Sequence, residues 1–184
     1  RAVFLDRDGV LNAMVFKKAA GILDSPSNPN EFHLLPGAVE AVKLINGMRF
    51  LAVMVSNQPG IAKGKFNLPM IQAMTEKMEQ GLSLGGATLN ALYYCFHHPE
   101  GVVAEFRKVC SCRKPAPGML LEAARALSID LGRSYMVGDS PKDVSAGQAA
   151  GCRTFLVDGH DALNSIELST SMNPNFSASD LLSA

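Results

Sequence analysis

The sequence predicts an α/β fold, in which helices cover both faces of a doubly wound parallel sheet. Short apolar runs of strand length alternate along the chain with longer stretches of helical periodicity. The first run, Ala2–Leu5, ends abruptly in acidic residues, as expected of a strand that is buried on both faces and meets solvent at its carboxyl end. This alternation predicts that functional groups lie at the carboxyl ends of the strands.

Five strands are predicted, at residues 2–5, 50–55, 91–95, 135–137 and 154–157. Helices are predicted between them, at residues 38–45, 68–82 and 119–127 and after Ser140-Pro141. Asn67 is suited to cap the longest helix, and proline near a helix start is favourable. The longest helix carries an apolar stripe typical of core packing, formed by Met70, Ile71, Met74, Met78 and Leu82.

Three segments lack such periodicity. Residues 13–35 and 98–117 are predicted to be loops, and residues 158–175 a loosely structured tail before a short helix that begins at Ser179-Asp180. No insertion is large enough to form a cap domain, so we expect loops alone to shield the site.

The composition limits the possible partners. The chain has 184 residues, of which 47% are hydrophobic, which is enough for one domain over residues 1–184 with a sizeable core. Lysine plus arginine equal aspartate plus glutamate at 17 each, so we expect neither nucleic acid nor an anionic membrane as a partner. Apolar runs are too short to span a bilayer and no leader precedes the first strand. We expect a cytoplasmic protein, and a monomer.

Three carboxylates follow predicted strands. Asp6 and Asp8 flank one residue directly after the first strand, and Gly9 then allows the chain to turn. Asp139 follows the strand at residues 135–137. Carboxylates held close together repel each other, and a divalent cation offsets that repulsion. Because oxygen-only ligands favour Mg²⁺, we predict a magnesium site formed by Asp6, Asp8 and Asp139.

Phosphoryl transfer needs a nucleophile, a proton donor and positive groups around the transferred oxygens. The sequence offers one of each, with the groups that contact the transferred oxygens coming from the end of the second strand and from the predicted loop at residues 98–117. Ser56 and Asn57 follow the second strand and can donate hydrogen bonds to phosphate, and Lys114 can set an ammonium against it. Each residue alone is ordinary turn or surface chemistry, but their combination at successive strand ends is specific.

A second group of residues points to zinc. Cys95, His97, Cys110 and Cys112 lie close together in the sequence and form a set of three sulfurs and one nitrogen that suits tetrahedral Zn²⁺. All four ligands come from the protein, which favours a structural zinc holding a loop at about residues 95–112. Cys152 stands apart and is predicted to be a small buried residue.

The chain resembles the haloacid dehalogenase (HAD) superfamily of phosphohydrolases over nearly its whole length. Four segments carry the resemblance: 5–10, 55–57, Lys114 and 138–143. It implies a Rossmann-like fold without a cap, Asp6 as nucleophile and Asp8 as the acid and base. It also implies a Mg²⁺ bound by Asp6, Asp139 and the Asp8 main chain, and phosphate contacts from Ser56 and Lys114, with Asp143 supporting the metal site.

Within that superfamily the segments 56–64, 93–99 and 110–115 resemble the heptose 1,7-bisphosphate phosphatases. This narrower resemblance implies removal of the C7 phosphate of the D-glycero-D-manno-heptose bisphosphate, with Arg113 recognising the second phosphate. Asn57, Gln58 and Pro59 are expected to line the substrate mouth together with Arg113 and Lys114. The related histidinol-phosphate phosphatases share the plan and are the main alternative.

Other classes of function fit less well. A receiver-type signalling domain has an acidic pair and a lysine, but its phosphorylated aspartate lies on a later strand than the pair. A catalytically inactive zinc-stabilised binding domain is disfavoured because no essential group is missing. A polynucleotide 3′-phosphatase is disfavoured because the chain lacks a basic surface.

Overall fold

The computed structural model describes residues 1–18, 20–158 and 173–184. It is an α/β structure with a six-stranded sheet and a separate two-stranded hairpin. The strands are β1 (Ala2–Leu5), β2 (Val15–Lys17), β3 (Ile22–Asp24), β4 (Leu51–Asn57), β5 (Ala91–Cys95), β6 (Tyr135–Gly138), β7 (Arg153–Val157) and β8 (Phe176–Ala178). The helices are α1 (Ala38–Gly47), α2 (Leu68–Leu84), α3 (Gly118–Leu127) and α4 (Pro141–Ala150), with 3₁₀ turns at Ala104–Phe106 and Leu131–Arg133.

The sheet has the strand order β5-β4-β1-β6-β7-β8, and every pairing is parallel. The chain starts in the centre at β1, moves outward through β4 to β5, and returns to the other side through β6. The direction therefore reverses between β1 and β6, which opens a crevice at their carboxyl ends. The predicted doubly wound parallel sheet is confirmed.

The core lies on both faces of this sheet because neighbouring strand residues point to opposite sides. Leu5 packs with α1 and α2, whereas Phe4 packs with α3 and α4. Met54 and Val53 divide in the same way. Burial on both faces explains why the strands read as continuous apolar runs in the sequence.

The helix boundaries follow the signals in the sequence. The Asn67 side chain caps α2 by accepting a hydrogen bond from the Met70 amide at 3.1 Å. At the start of α4, the Ser140 amide and hydroxyl both donate to Asp143 Oδ2, at 3.1 and 2.5 Å. Met70 is 41% exposed and does not belong to the buried stripe of α2, which corrects that part of the prediction.

The segment at residues 13–35 is not a plain loop. It contains the antiparallel hairpin β2–β3, and the Ala13 amide donates to the His33 carbonyl at 2.9 Å. Lys17 reaches across the segment to Glu31 at 2.6 Å. An ion pair between Lys65 and Asp24 ties the hairpin to the loop after β4. The prediction of a loop over residues 13–35 is wrong for the hairpin, because the contacts that hold it join residues far apart in sequence.

The C-terminal part also differs from the prediction. Strand β8 extends the sheet beside β7, and the helix predicted after Ser179-Asp180 is a turn in which the Ala184 amide donates to the Asp180 carbonyl at 3.2 Å. The tail predicted to be loosely structured falls mostly on residues 159–172, which lie outside the described residues. None of the helices described is both long enough and apolar enough to cross a bilayer.

Candidate active site

Three carboxylates meet in the crevice between β1 and β6. Asp6 follows β1, Asp139 follows β6, and Asp143 lies in the first turn of α4; one oxygen from each lies within 4.8 Å of the others. Gly9 permits this approach, since a Cβ at that position would come within 1.9 Å of Asp139 Oδ2 and its φ is +81°. Asp143, which was predicted to support the metal site, thus lies among the carboxylates themselves.

Lys114 is the buried cation of this site. Its ammonium lies 2.9 Å from Asp6 Oδ1 and 2.6 Å from Asp143 Oδ1, and it donates to the Val55 carbonyl at 2.8 Å. Only 2% of its side chain is exposed, so these charges interact with little screening by solvent. Asn57 holds the main chain of Lys114 with two hydrogen bonds of 3.0 Å. The side-chain oxygen of Asn57 accepts from the Lys114 N–H, and its side-chain nitrogen donates to the Lys114 carbonyl.

One ammonium does not balance three carboxylates. Burial raises the pKa of Asp6 to about 7, with Asp143 adding to the shift and Lys114 opposing it. Burial, Asp6 and Asp143 together raise the pKa of Asp139 to about 8. A divalent cation would remove this excess of negative charge, and the all-oxygen donor set suits Mg²⁺. The residues present therefore fit the predicted metal.

The raised pKa values predict how Mg²⁺ affects stability. Without Mg²⁺, the folded protein binds protons at Asp6 and Asp139 that the unfolded chain has released, so stability falls as pH rises from about 4 to about 8. Mg²⁺ competes with those protons. We expect the increase in melting temperature caused by Mg²⁺ to grow between about pH 5 and about pH 8. Thermal denaturation with Mg²⁺ or EDTA measures it, and an increment that shrinks over this range would contradict the site.

Asp8 lies apart from that group of carboxylates. The Arg7 guanidinium grips both of its oxygens, at 2.9 and 3.1 Å, and the Asn12 amide donates to Oδ1 at 2.9 Å. Burial alone would raise the pKa of Asp8, but Arg7 and the hydrogen bonds from Asn12 and Gln58 outweigh it and lower the pKa. The predicted metal contact of Asp8 through its main chain stays a prediction.

Sequence reasoning missed Arg7 and Asn12. Both side chains are fully buried, and Arg7 lies against Phe32, with 5.9 Å between its guanidinium carbon and the ring centroid. An arginine between two aspartates in an apolar strand end is the signal that could have identified the first of them, since buried arginine needs an ionic partner.

The residues after β4 occupy the neighbouring strand end. Ser56 is buried, and its hydroxyl accepts a hydrogen bond from the Gln58 amide at 3.0 Å. Pro59 is half-buried in the following loop. Of the residues predicted to line the substrate mouth, Asn57 and Gln58 are engaged with Lys114 and Asp8 respectively.

The predicted zinc ligands form a compact cluster. Their ligand atoms lie within 4.8 Å of one another; the Cys112 sulfur is 3.2 Å from that of Cys110 and 3.3 Å from that of Cys95 and from His97 Nδ1. These separations approach the edges of a tetrahedron around a Zn²⁺ ion. Burial and hydrogen bonding from Cys112 raise the pKa of Cys95, so the thiols do not ionise together without a cation.

A cysteine substitution tests the cluster. Cys110→Ala is expected to remove bound zinc and lower the melting temperature, because structural zinc contributes directly to folding. Cys152→Ala is the matched control, since Cys152 is buried away from the cluster. Metal analysis and thermal denaturation measure both effects. If Cys110→Ala binds no metal and melts at the same temperature as the parent, zinc does not stabilise the fold.

Arg113 connects this cluster to the carboxylates. It lies between Cys112 and Lys114, and its Nη1 donates to the His97 carbonyl at 3.4 Å. Burial lowers the pKa of His98, and Lys63, Arg113 and Lys142 lower it further against the opposing effect of Glu100. Three cationic side chains therefore lie around His98, next to the cysteine and histidine cluster.

Comparisons with known proteins agree with this geometry. Residues 111–184 match the HAD-hydrolase-like family model. The D-glycero-beta-D-manno-heptose-1,7-bisphosphate 7-phosphatase of Escherichia coli (strain K12) is 44% identical over 156 residues, which is 85% of this chain and 78% of that protein.

Two solved structures are also similar. The D,D-heptose 1,7-bisphosphate phosphatase from B. bronchiseptica, complexed with magnesium and phosphate, has a TM-score of 0.83 and 30% identity, covering 100% of this chain and 95% of that one. A HAD-like phosphatase from Mesorhizobium loti has a TM-score of 0.78 and 37% identity, covering 86% and 72%. The chain belongs to the HAD-like hydrolases, in the same family as the heptose-1,7-bisphosphate 7-phosphatases.

Proposed function

We propose that this protein is a Mg²⁺-dependent phosphomonoesterase that removes the C7 phosphate of D-glycero-D-manno-heptose 1,7-bisphosphate through an aspartyl-phosphate on Asp6. The observation that carries the proposal is the position of Asp6, with its carboxylate 2.9 Å from the Lys114 ammonium and grouped with Asp139 and Asp143. The names of the relatives and the phosphate and magnesium bound to a similar structure support it.

In the first step, an oxygen of Asp6 attacks phosphorus and the bond between phosphorus and the sugar C7 oxygen breaks. Lys114 offsets the charge on the transferred oxygens, and the Ser56 hydroxyl donates a hydrogen bond to one of them. Asp8 gives a proton to the leaving alkoxide. Arg7 lowers the pKa of Asp8, but the negative charge of a bound phosphate dianion raises it, so that Asp8 can carry the proton that it gives to the leaving group.

In the second step, water attacks the phosphorus of the aspartyl-phosphate. Asp8, now a carboxylate, accepts a proton from that water. The bond between phosphorus and the Asp6 oxygen breaks, which releases inorganic phosphate and regenerates the carboxylate.

Two metal ions complete the proposed enzyme. Asp6, Asp139 and the Asp8 main chain would hold Mg²⁺, with Asp143 beside them; when bound it neutralises charge on the phosphoryl group. Cys95, His97, Cys110 and Cys112 would hold Zn²⁺, whose role is to fix the loop that presents Arg113 and Lys114.

The second phosphate of the substrate gives Arg113 its proposed role. Its guanidinium can grip that phosphate with two parallel hydrogen bonds while Lys114 serves the reacting one. Arg113→Ala is expected to lower kcat/KM for the bisphosphate by about 10-fold to about 100-fold more than for a sugar monophosphate. Arg133→Ala, at an exposed site before β6, is the control. Equal losses on both substrates would count against the bisphosphate assignment.

A phosphate-release panel tests the substrate. It compares both anomers of the heptose bisphosphate, histidinol phosphate and generic sugar phosphates with the same enzyme. We expect the bisphosphate to have the highest kcat/KM, because only it engages both Arg113 and Lys114. A preference for histidinol phosphate would favour that alternative instead.

We also propose that residues 1–184 act as a single domain, as a monomer and in the cytoplasm. The balanced charge and the absence of a spanning helix among the described residues are compatible with this. Light scattering coupled to size-exclusion chromatography measures the oligomeric state.

A further inference from the structure

Gln58 occupies an unusual position for a residue at the mouth of a crevice. It follows β4 directly, and its main-chain amide donates to the Cys95 carbonyl at 2.7 Å, which fixes its backbone to the end of β5. Its side chain is completely buried. In this structure its side-chain hydrogen bonds go to protein groups, and its predicted contact with substrate stays a prediction.

The Gln58 amide nitrogen bridges two groups of the proposed reaction. It donates to Asp8 Oδ2 at 2.7 Å and to Ser56 Oγ at 3.0 Å. The carbonyl oxygen of the same amide is buried and has no hydrogen-bond partner among the described residues. Both side-chain hydrogen bonds that Gln58 makes among the described residues therefore come from its nitrogen.

The donors and acceptors fix the direction of each hydrogen bond. An ionised carboxylate only accepts, so Asp8 must face the nitrogen of the amide and not its oxygen. The two hydrogens of that nitrogen are then used on Asp8 and Ser56. Because the Ser56 oxygen accepts one of them, the hydroxyl hydrogen of Ser56 is left to point elsewhere.

We propose that Gln58 is a positioning residue that sets the Asp8 carboxylate and the Ser56 hydroxyl in one fixed relation for phosphoryl transfer. Arg7 bonds both Asp8 oxygens and Asn12 bonds Oδ1; Gln58 adds the shorter hydrogen bond to Oδ2 and so holds the carboxylate toward the leaving oxygen. The Ser56 hydroxyl is turned to donate to the phosphoryl group. This inference rests on the proposed function, because it assigns Asp8 and Ser56 the roles given there.

Leaving groups of different basicity separate positioning from folding. An alkoxide needs a proton as it leaves, whereas p-nitrophenolate does not. Gln58→Met keeps the length of the side chain and removes both hydrogen bonds. Its rate of leaving-group release in a single turnover is expected to fall on the order of 10²-fold for a primary alkyl phosphate. For p-nitrophenyl phosphate, the loss is limited to the Ser56 contact, at about 10-fold or less.

Two further variants complete the experiment. Gln72→Met, at an exposed position of α2, is the control and should change neither rate. In an Asp8→Asn background, Gln58→Met should cost the alkyl phosphate only the loss of about 10-fold or less that comes from the Ser56 contact, because the side chain at position 8 no longer carries a proton to be positioned. The comparison in the Asp8→Asn background remains valid if Gln58→Met is less stable, because each rate is divided by the folded fraction of its own variant.

The outcomes are distinct. A larger loss with the alkyl phosphate than with p-nitrophenyl phosphate, absent from the Asp8→Asn background, supports the proposal. Equal losses with both substrates, or losses that add in the double variant, overturn it. Rejection of the heptose bisphosphate by a wild-type enzyme that still hydrolyses glycerol 3-phosphate would instead refute the proposed substrate, with the Gln58 comparison still decided on glycerol 3-phosphate.

Discussion

Asp6→Asn is expected to abolish phosphate release, with a loss on the order of 10⁴-fold or more. The asparagine side chain has nearly the same shape but cannot form the acyl phosphate. Its amide also removes a buried negative charge beside Asp143; burial first, and Asp143 in addition, raise the pKa of Asp6 to about 7. Folding should therefore stay intact without Mg²⁺.

The measurement pairs phosphate release with thermal denaturation. Asp130→Asn is the matched control, because Asp130 is exposed and precedes the amino end of β6, at the opposite edge of the sheet. The control should keep the activity of the parent. If Asp6→Asn retains activity within a few-fold of the parent, Asp6 is not the nucleophile.

Lys114→Met is expected to cause the largest loss of stability. Removing this buried ammonium leaves Asp6 and Asp143 without the cation that lies 2.9 and 2.6 Å from them. Breaking a buried ion pair from one side costs about 3–5 kcal/mol in the free energy of unfolding. Phosphate release should fall by about 10²-fold to about 10³-fold as well, because the transferred oxygens lose a preorganised positive charge.

Urea denaturation measures the change in stability, with Lys43→Met on the exposed face of α1 as the control. Saturating Mg²⁺ should restore part of the stability of Lys114→Met, since it compensates the same carboxylates. A free energy of unfolding within about 1 kcal/mol of the parent would show that the interior tolerates those charges unpaired.

The sheet was predictable because a strand that is buried on both faces has a short, continuous apolar sequence. Strands β1 and β5 have the predicted bounds, β6 and β7 differ by one residue at one end, and β4 starts one residue later and ends two residues later than predicted. The hairpin β2–β3 was missed for the opposite reason. Its three-residue strands have no usable period, and they are held by ion pairs such as Lys17–Glu31 that join distant positions.

The candidate site was predictable to the level of its strand ends, and less so in its contacts. The positions of Asp6 and Asp139 follow from the parallel sheet, which brings those strand ends together, whereas Lys114 lies in the loop between β5 and α3. The partner of each side chain does not follow, because Asp8 is bonded by its own neighbour Arg7 and not grouped with Asp6 and Asp139. Gln58 was predicted to meet substrate, and no spacing in the sequence indicates that it meets Asp8.

Detection of the covalent intermediate tests the central claim most directly. Enzyme mixed with heptose bisphosphate that carries a radiolabelled C7 phosphate is quenched in acid within milliseconds, and the labelled peptide is identified by mass spectrometry. We expect a label that hydroxylamine releases and that lies at Asp6, forms and decays as fast as turnover, and is absent from Asp6→Asn. Turnover without a covalent label, or a label at another residue, would contradict it.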